Sequence, residues 1–265
     1  MNYFKDDDNV KNKGKIRVIT MVEIRSLGDA AISVVFGNEI SESIHHKIQQ
    51  FISLLEASKV KGIVEWVPAY TTVAVYYRPG EISYHQLTSL VEKLCLASSE
   101  RNTSSSIVYK IPVYYGGETG SDLSYIAKFH TLREEEVVKL HCQPEYLIYM
   151  MGFVPGFPYL GGLSPKLAVP RLEHPRPSVL PGSVGIGGKQ TGIYPSVVPS
   201  GWRILGITPI QLFDIDKPSP ILLSAGNYIK FYSIDVDEYL RIKDLVSQGK
   251  FTVQTYKKGE FQLDN

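Results

Sequence analysis

The sequence has little cysteine, little net charge and no long apolar run, and each lack removes a class of function. Cys95 and Cys142 are the only cysteines in 265 residues. They are too few for a disulfide framework and too far apart for a metal-ligand pair, which fits a reducing compartment and a cytoplasmic location. Lysine and arginine number 28 against 27 acidic residues, a formal net charge of +1. That balance leaves no basic footprint for nucleic acid or an anionic membrane. No stretch approaches the ~18–20 apolar residues that span a bilayer, and the start, Met1-Asn-Tyr-Phe-Lys-Asp-Asp-Asp-Asn-Val10, has no apolar signal core. His45 and His46 share a helical pattern with no third ligand in view, so no metal site is expected. No Ser/His/Asp order emerges either.

What remains is organised in blocks. Residues 1–20 are polar and charged and read as a disordered extension, with Met21 a candidate initiator just before the first patterned segment. Residues 21–98 read as an α+β domain. Strands are expected at Val22–Leu27, Ala31–Phe36, Gly62–Val67 and Thr72–Tyr77, with helices over Ser41–Ser58 and after a Ser83/Gln86 capping box. The order ββαββα, with both helices free to cover one sheet face, points to a ferredoxin-like sandwich. Residues 99–106 are polar, lack apolar periodicity and read as a linker. From 107 to 256 many short strands are broken by Gly and Pro, which argues for a β-barrel or sandwich. Within it, helices are expected after Asp122 (read as a cap), after a Thr131/Glu134 capping box and after Asp235. Further strands are expected at Ile210–Phe213, Ile221–Leu223 and Phe251–Tyr256.

Glycine and proline concentrate between Leu147 and Asp214, interleaved with Phe153, Phe157, Tyr159, Tyr194 and Trp202. Such aromatics mark a shaped, folded region and not a flexible linker. The run Gly182-Ser-Val-Gly-Ile-Gly-Gly-Lys-Gln-Thr191 invites comparison with nucleotide loops. Ser183 stands where a Walker loop needs its first Gly, and Gln190 where it needs the magnesium-binding hydroxyl. The dinucleotide fingerprint fails at Gln190 as well. Exposed glycine amides with Lys189 offer an anion site, while the same glycines equally permit close strand crossing; the residues leave both open. His141 and Cys142 are adjacent on one helix, a geometry that rarely aims a base at a thiol. The residues alone define a pocket and no mechanism.

Ile111-Pro-Val-Tyr-Tyr-Gly-Gly-Glu118, Tyr149-Met-Met-Gly-Phe-Val-Pro-Gly-Phe-Pro-Tyr-Leu-Gly-Gly-Leu163, Pro170-Arg171, Gly182 to Pro195, Gly206-Ile-Thr-Pro209 and Glu65-Trp-Val-Pro-Ala-Tyr70 closely resemble the allophanate hydrolase subunit 1 family. That family includes B-type subunits of bacterial 5-oxoprolinase and the sporulation kinase inhibitor KipI. The resemblance runs from Val22 to about Ser233 and implies a small α/β domain followed by a cyclophilin-like barrel. It also implies ATP-dependent opening of 5-oxoproline to L-glutamate, in a complex with a homologous C-type subunit and an A-type subunit. Phosphorylating the lactam oxygen makes a poor acylating agent reactive, which calls for cations and preorganised donors. On this reading Lys189, Gln190 and His141 are the candidate catalytic residues. Gly187, Gly188, Thr191, Tyr194, Phe157 and Tyr159 are candidates for binding substrate or nucleotide. ATP, with magnesium, would sit on this chain or mainly on its partner. The alternatives are inhibition of a sensor histidine kinase and a role in a complex acting on urea or allophanate. Two positions depart from the family: Ile207 replaces a frequent basic residue, and Pro199-Ser-Gly-Trp202 replaces Pro-Gly-Gly-Trp.

Overall fold

The structure, a computed structural model, describes residues 22–98 and 106–259. The expected extension and most of the expected linker lie outside the described residues. The first unit contains β1 (Glu23–Ser26), β2 (Ala31–Val35), α1 (Glu42–Ser58), β3 (Ile63–Pro68), β4 (Thr72–Tyr77) and α2 (Tyr84–Ser98). The strands form one antiparallel sheet in the order β1-β2-β4-β3. Alternation turns Ile32, Val34, Val73 and Val75 to one face, where Ile48, Phe51 and Leu55 of α1 and Leu87 and Val91 of α2 cover them. Ser41 caps α1 by accepting the Ile44 N–H, and Ser83 and Gln86 form the reciprocal box at α2. A ferredoxin-like chain runs β-α-β-β-α-β. Here the edge strand beside β2 is β1, which comes from the start of the domain.

The second unit contains β5 (Ile107–Tyr115), α3 (Leu123–Phe129), α4 (Glu134–Cys142), β6 (Tyr146–Met151), β7 (Pro158–Gly161) and β8 (Arg176–Val179). It continues with β9 (Ser183–Gly187), β10 (Gln190–Ile193), β11 (Val198–Ser200), β12 (Arg203–Ile207), β13 (Tyr228–Ile234), α5 (Val236–Ser247) and β14 (Thr255–Lys257). Seven strands close a barrel in the order β12-β9-β10-β7-β6-β13-β5, with β12 returning to β5 through Gly206↔Tyr115 and Ile207↔Tyr114. β14 extends one edge of β5, and β8 with β11 forms a separate ribbon. Ile111, Val113, Ile148, Leu160, Val184, Ile186, Leu205 and Phe231 fill the interior, and Leu123, Ile126, Val137 and Ile242 of the three helices join the same core.

Several local expectations change. Thr131 does not cap α4. It adopts φ +56 and, with Leu132 donating to Ala127 O, closes α3; α4 starts two residues later, with Glu136 accepting the Arg133 N–H. Asp122 makes no side-chain cap bond to α3. Its buried carboxylate instead accepts from the Ile204 N–H at 2.7 Å and from Arg176 at 2.8 Å, with Arg203 3.5 Å away. The strands expected around Phe213 and Ile221 reduce to one bridge between those residues, and the last strand shortens to Thr255–Lys257.

Asp122 thus ties the start of α3 to β8 and β12. Removing one partner of a buried charged network leaves the others unsatisfied, a cost of about 3–5 kcal/mol. Asp122→Ala should therefore lower the stability read from urea unfolding by that order, while Glu23→Ala, which removes an exposed pair with Arg25, should leave it nearly unchanged because solvent screens such a pair. Equal effects from the two variants would contradict the role given to Asp122.

Candidate functional site

The β9–β10 hairpin turns through Gly188 and Lys189. Gly188, at φ +64 in the first loop position, supplies the conformation that a type II′ turn needs. Its backbone is already occupied: the Gly188 N–H donates to Val169 O at 2.9 Å, and the Val169 N–H donates to Gly188 O at 3.1 Å. The glycines have another use. A Cβ on Gly187 would lie 2.4 Å from the Trp202 indole, and one on Gly192 would lie 3.1 Å from Trp202 and 3.2 Å from Phe157. The bare backbone is what lets the indole lie against the hairpin. This revises the expected phosphate cradle at Gly187 and Gly188: one amide is spent, and the other glycine makes room for a ring.

Trp202 anchors an aromatic cluster. Phe157 meets Trp202, Tyr194, Tyr159 and Phe153 at centroid distances of 5.9, 5.3, 5.2 and 5.6 Å. Phe157, Tyr159 and Tyr194 are brought together, with Phe157 and Tyr194 buried in the wall beneath the hairpin. Ser200 bonds the Tyr194 hydroxyl at 2.7 Å and accepts the Trp202 N–H at 3.0 Å, which accounts for a serine in Pro199-Ser-Gly-Trp202. Ile207 is buried at the end of β12, paired with Ser183 of β9 and Tyr114 of β5. Arg171 lies over the Trp202 ring, 5.8 Å from its centroid.

Lys189 projects from the hairpin tip, exposed and without a partner among the described residues. Gln190 follows, half-buried, and its side-chain amide donates to the Tyr70 hydroxyl. Tyr70 comes from the β3–β4 loop of the first unit, so both domains build this edge. Its ring packs on Tyr149 at 5.4 Å and against Tyr159 at 6.1 Å. Burial, foremost, pushes the Tyr70 hydroxyl up to about 12, so it remains protonated and keeps its own hydrogen to donate. Across the same interface His45 of α1 meets Tyr149 edge-on at 5.2 Å. His45 is buried, its Nε2 has no hydrogen-bond partner among the described residues, and burial, helped by His46, holds its pKa down to about 4.

His141 and Thr191 lie inside the barrel wall. The Thr191 hydroxyl is 3.0 Å from Gly185 O, to which it donates, and 2.9 Å from His141 Nε2. With its hydrogen committed to the carbonyl, Thr191 must accept from Nε2–H, and bare Nδ1 then accepts from the Tyr115 hydroxyl at 2.7 Å. Cys142 Sγ donates in turn to Tyr115 at 3.4 Å. The imidazole stacks on Phe231 and is fully buried, and burial pushes its pKa down to about 3. The expected catalytic place of His141 is thus revised: both ring nitrogens are satisfied internally, and the side chain braces Thr191 behind the site strand. Tyr70 ends the Glu65-Trp-Val-Pro-Ala-Tyr70 motif, yet nothing local in that motif shows that a loop residue 120 positions away will meet Gln190.

Residues 22–223 match the family model described as carboxyltransferase domain, subdomain C and D. The chain belongs to this family. It is 39% identical over 232 residues to the B-type 5-oxoprolinase subunit of Bacillus subtilis (strain 168), covering 84% of this chain and 97% of that protein. It is 53% identical over 122 residues to the Haemophilus influenzae protein of the same name, covering 46% of this chain and 57% of that protein. Among solved structures, TTHA0988 superposes with a TM-score of 0.69 at 33% identity, covering 80% of this chain. The chain spans only 40% of that longer polypeptide. The urea amidolyase of K. lactis shares the fold, with a TM-score of 0.72 at 21% identity over 89% of this chain and 16% of that one.

His45 and His141 are both held neutral, so folded-state protonation lags behind that of the unfolded chain. Their contribution is complete above pH 6.5 and is lost as pH falls through the window down to about 4 for His45 and about 3 for His141. Each contributes a slope of at most ~1.4 kcal/mol per pH unit. His45→Phe should flatten the unfolding free energy by about that slope between pH 6.5 and 4. An unchanged slope would mean that His45 charges freely in the fold.

Proposed function

We propose that this chain is the B-type subunit of an ATP-dependent 5-oxoprolinase, which opens 5-oxoproline to L-glutamate together with A- and C-type subunits. The observation that carries the reading is the match to the Bacillus subtilis B-type protein along 97% of that protein's length. The site geometry fits a shared active site. No group of three metal-ligating side chains occurs among the described residues, and the hairpin offers one lysine with no open glycine cradle. This favours the reading in which the nucleotide is held mainly by the partner subunits.

What the chain supplies is recognition at an exposed edge. Lys189 places a positive charge where a carboxylate or a developing oxyanion can meet it. Gln190 gives one amide hydrogen to Tyr70, leaving its second hydrogen and its oxygen to face a ligand. Tyr70, wedged between Tyr149 and Tyr159, fixes the rotamer of Gln190. Trp202 and Phe157 hold the hairpin rigid below. His141 acts one layer deeper, fixing Thr191 through a neutral ring.

In the reconstituted complex, Lys189→Ala should reduce 5-oxoproline-dependent glutamate formation at least tenfold, a loss of ~1.5–3 kcal/mol for a charge-assisted contact. Full turnover by that variant would remove Lys189 from the site. Tyr70→Phe removes one neutral hydrogen bond and should lower kcat/KM by about 2–10-fold while the assembly forms normally on size exclusion. Wild-type kinetics would show that Gln190 needs no such positioning.

A further inference from the structure

A cleft of about 1020 Å³ opens between α4 and the strands β13, β5 and β14, on a part of the barrel that the hairpin does not line. Its floor holds an arrangement that folding alone does not favour. β5 and β13 run parallel with Lys110 directly opposite Lys230. Neighbouring strands are ~4.8 Å apart, and like charges placed opposite each other on one face are destabilising. Neither lysine forms an ion pair among the described residues. Lys230 donates to the neutral carbonyl of Gln143 at 2.6 Å, and the Lys110 ammonium lies 5.6 Å from the Tyr232 ring centroid.

The acids lining the cleft are engaged elsewhere. Glu145 feels the charge of Lys230, but its two oxygens are bonded to Lys258 and to the Tyr256 hydroxyl. Glu134 is bonded to the Ser124 hydroxyl. Glu135 and Lys139 offset one another in sign on the α4 wall. The cleft is far larger than one ion and is lined by Tyr232 and Tyr256 beside the lysines, the mixed apolar and polar lining of a site for an organic molecule. We propose that it binds a small organic carboxylate, its charge held between Lys110 and Lys230 and its body against the tyrosines. The site is separate from the Lys189 edge and does not depend on the reaction proposed there.

Isothermal titration of the full chain with benzoate, L-glutamate and 5-oxoproline, and with inorganic phosphate as a simple anion, tests this. Saturable binding of at least one carboxylate is expected, with phosphate at least tenfold weaker. Lys110→Met, which breaks no hydrogen bond, should weaken the carboxylate at least tenfold and raise the unliganded Tm; Lys230→Met should weaken it similarly. Tm measured for both variants separates lost binding from lost folding. The proposal fails if no carboxylate saturates up to ~10 mM, well above the ~1 mM dissociation constant of even a weak specific ligand. It also fails if phosphate binds as tightly as the carboxylates, or if both lysine variants bind as the wild type does.

Discussion

The second domain depends on one close approach, where β12 closes the barrel. Gly206 pairs with Val184 of β9 on one side and with Tyr115 of β5 on the other. A Cβ there would lie 2.2 Å from Tyr114 O, and a Cβ on Gly120 would lie 2.2 Å from Leu205 O. No side chain fits either position, so the ring closes only on bare backbone. Asp122 then fixes the same strand from outside by accepting the Ile204 N–H. Once β12 is fixed, Trp202 at its start is delivered onto the glycines of β9 and β10. The hairpin tip that carries Lys189 and Gln190 inherits its position from that contact.

The buried polar chain from Cys142 through Tyr115, His141 and Thr191 to Gly185 carries a second constraint. Every donor in it has one acceptor, so the direction of each bond follows from the carbonyl at its end. A fully satisfied network in an apolar wall specifies one arrangement, because any rotation leaves a buried group unpaired. This explains a neutral histidine at the centre of the barrel wall better than a catalytic role does. It also gives Thr191 a reason to be threonine, with a hydroxyl that donates and accepts at once.

Much of the fold was readable locally. The alternation in β2 and β4, the helical spacing of Ile48, Phe51 and Leu55, and the capping pairs at Ser83 and Asp235 all act within a few residues, and the structure realises them. Where local signals mislead, the physical source is common. Asp122 and Thr131 carry the right side chains for N-caps, yet Asp122 is claimed by Arg176 and Arg203 from far along the chain, and Thr131 is needed at positive φ to finish α3. The glycine run is ambiguous for the same reason: only the position of Trp202 decides between an anion loop and a packing surface, and no spacing rule reports it. The residues around the site came together as a cluster, but which of them face outward follows from the barrel's curvature and from the first domain's loop.

The domain interface makes the site edge a joint product. Tyr70 reaches Gln190 only because the β3–β4 loop is held against β6 by Tyr149, which His45 of α1 meets edge-on. Each of these contacts is aromatic or neutral, with no ion pair among them. A joint of that kind suits the proposed role of a chain that supplies one edge of a larger site. On the proposed reading, Lys189 and Gln190 gain from being held in fixed positions before a partner arrives, since any ordering left for the encounter would be subtracted from the binding free energy. The incomplete look of the site on one chain and the heavy investment of rings and glycines beneath two polar side chains are then the same fact. On that reading the packing preorganises a surface whose chemistry a partner subunit completes.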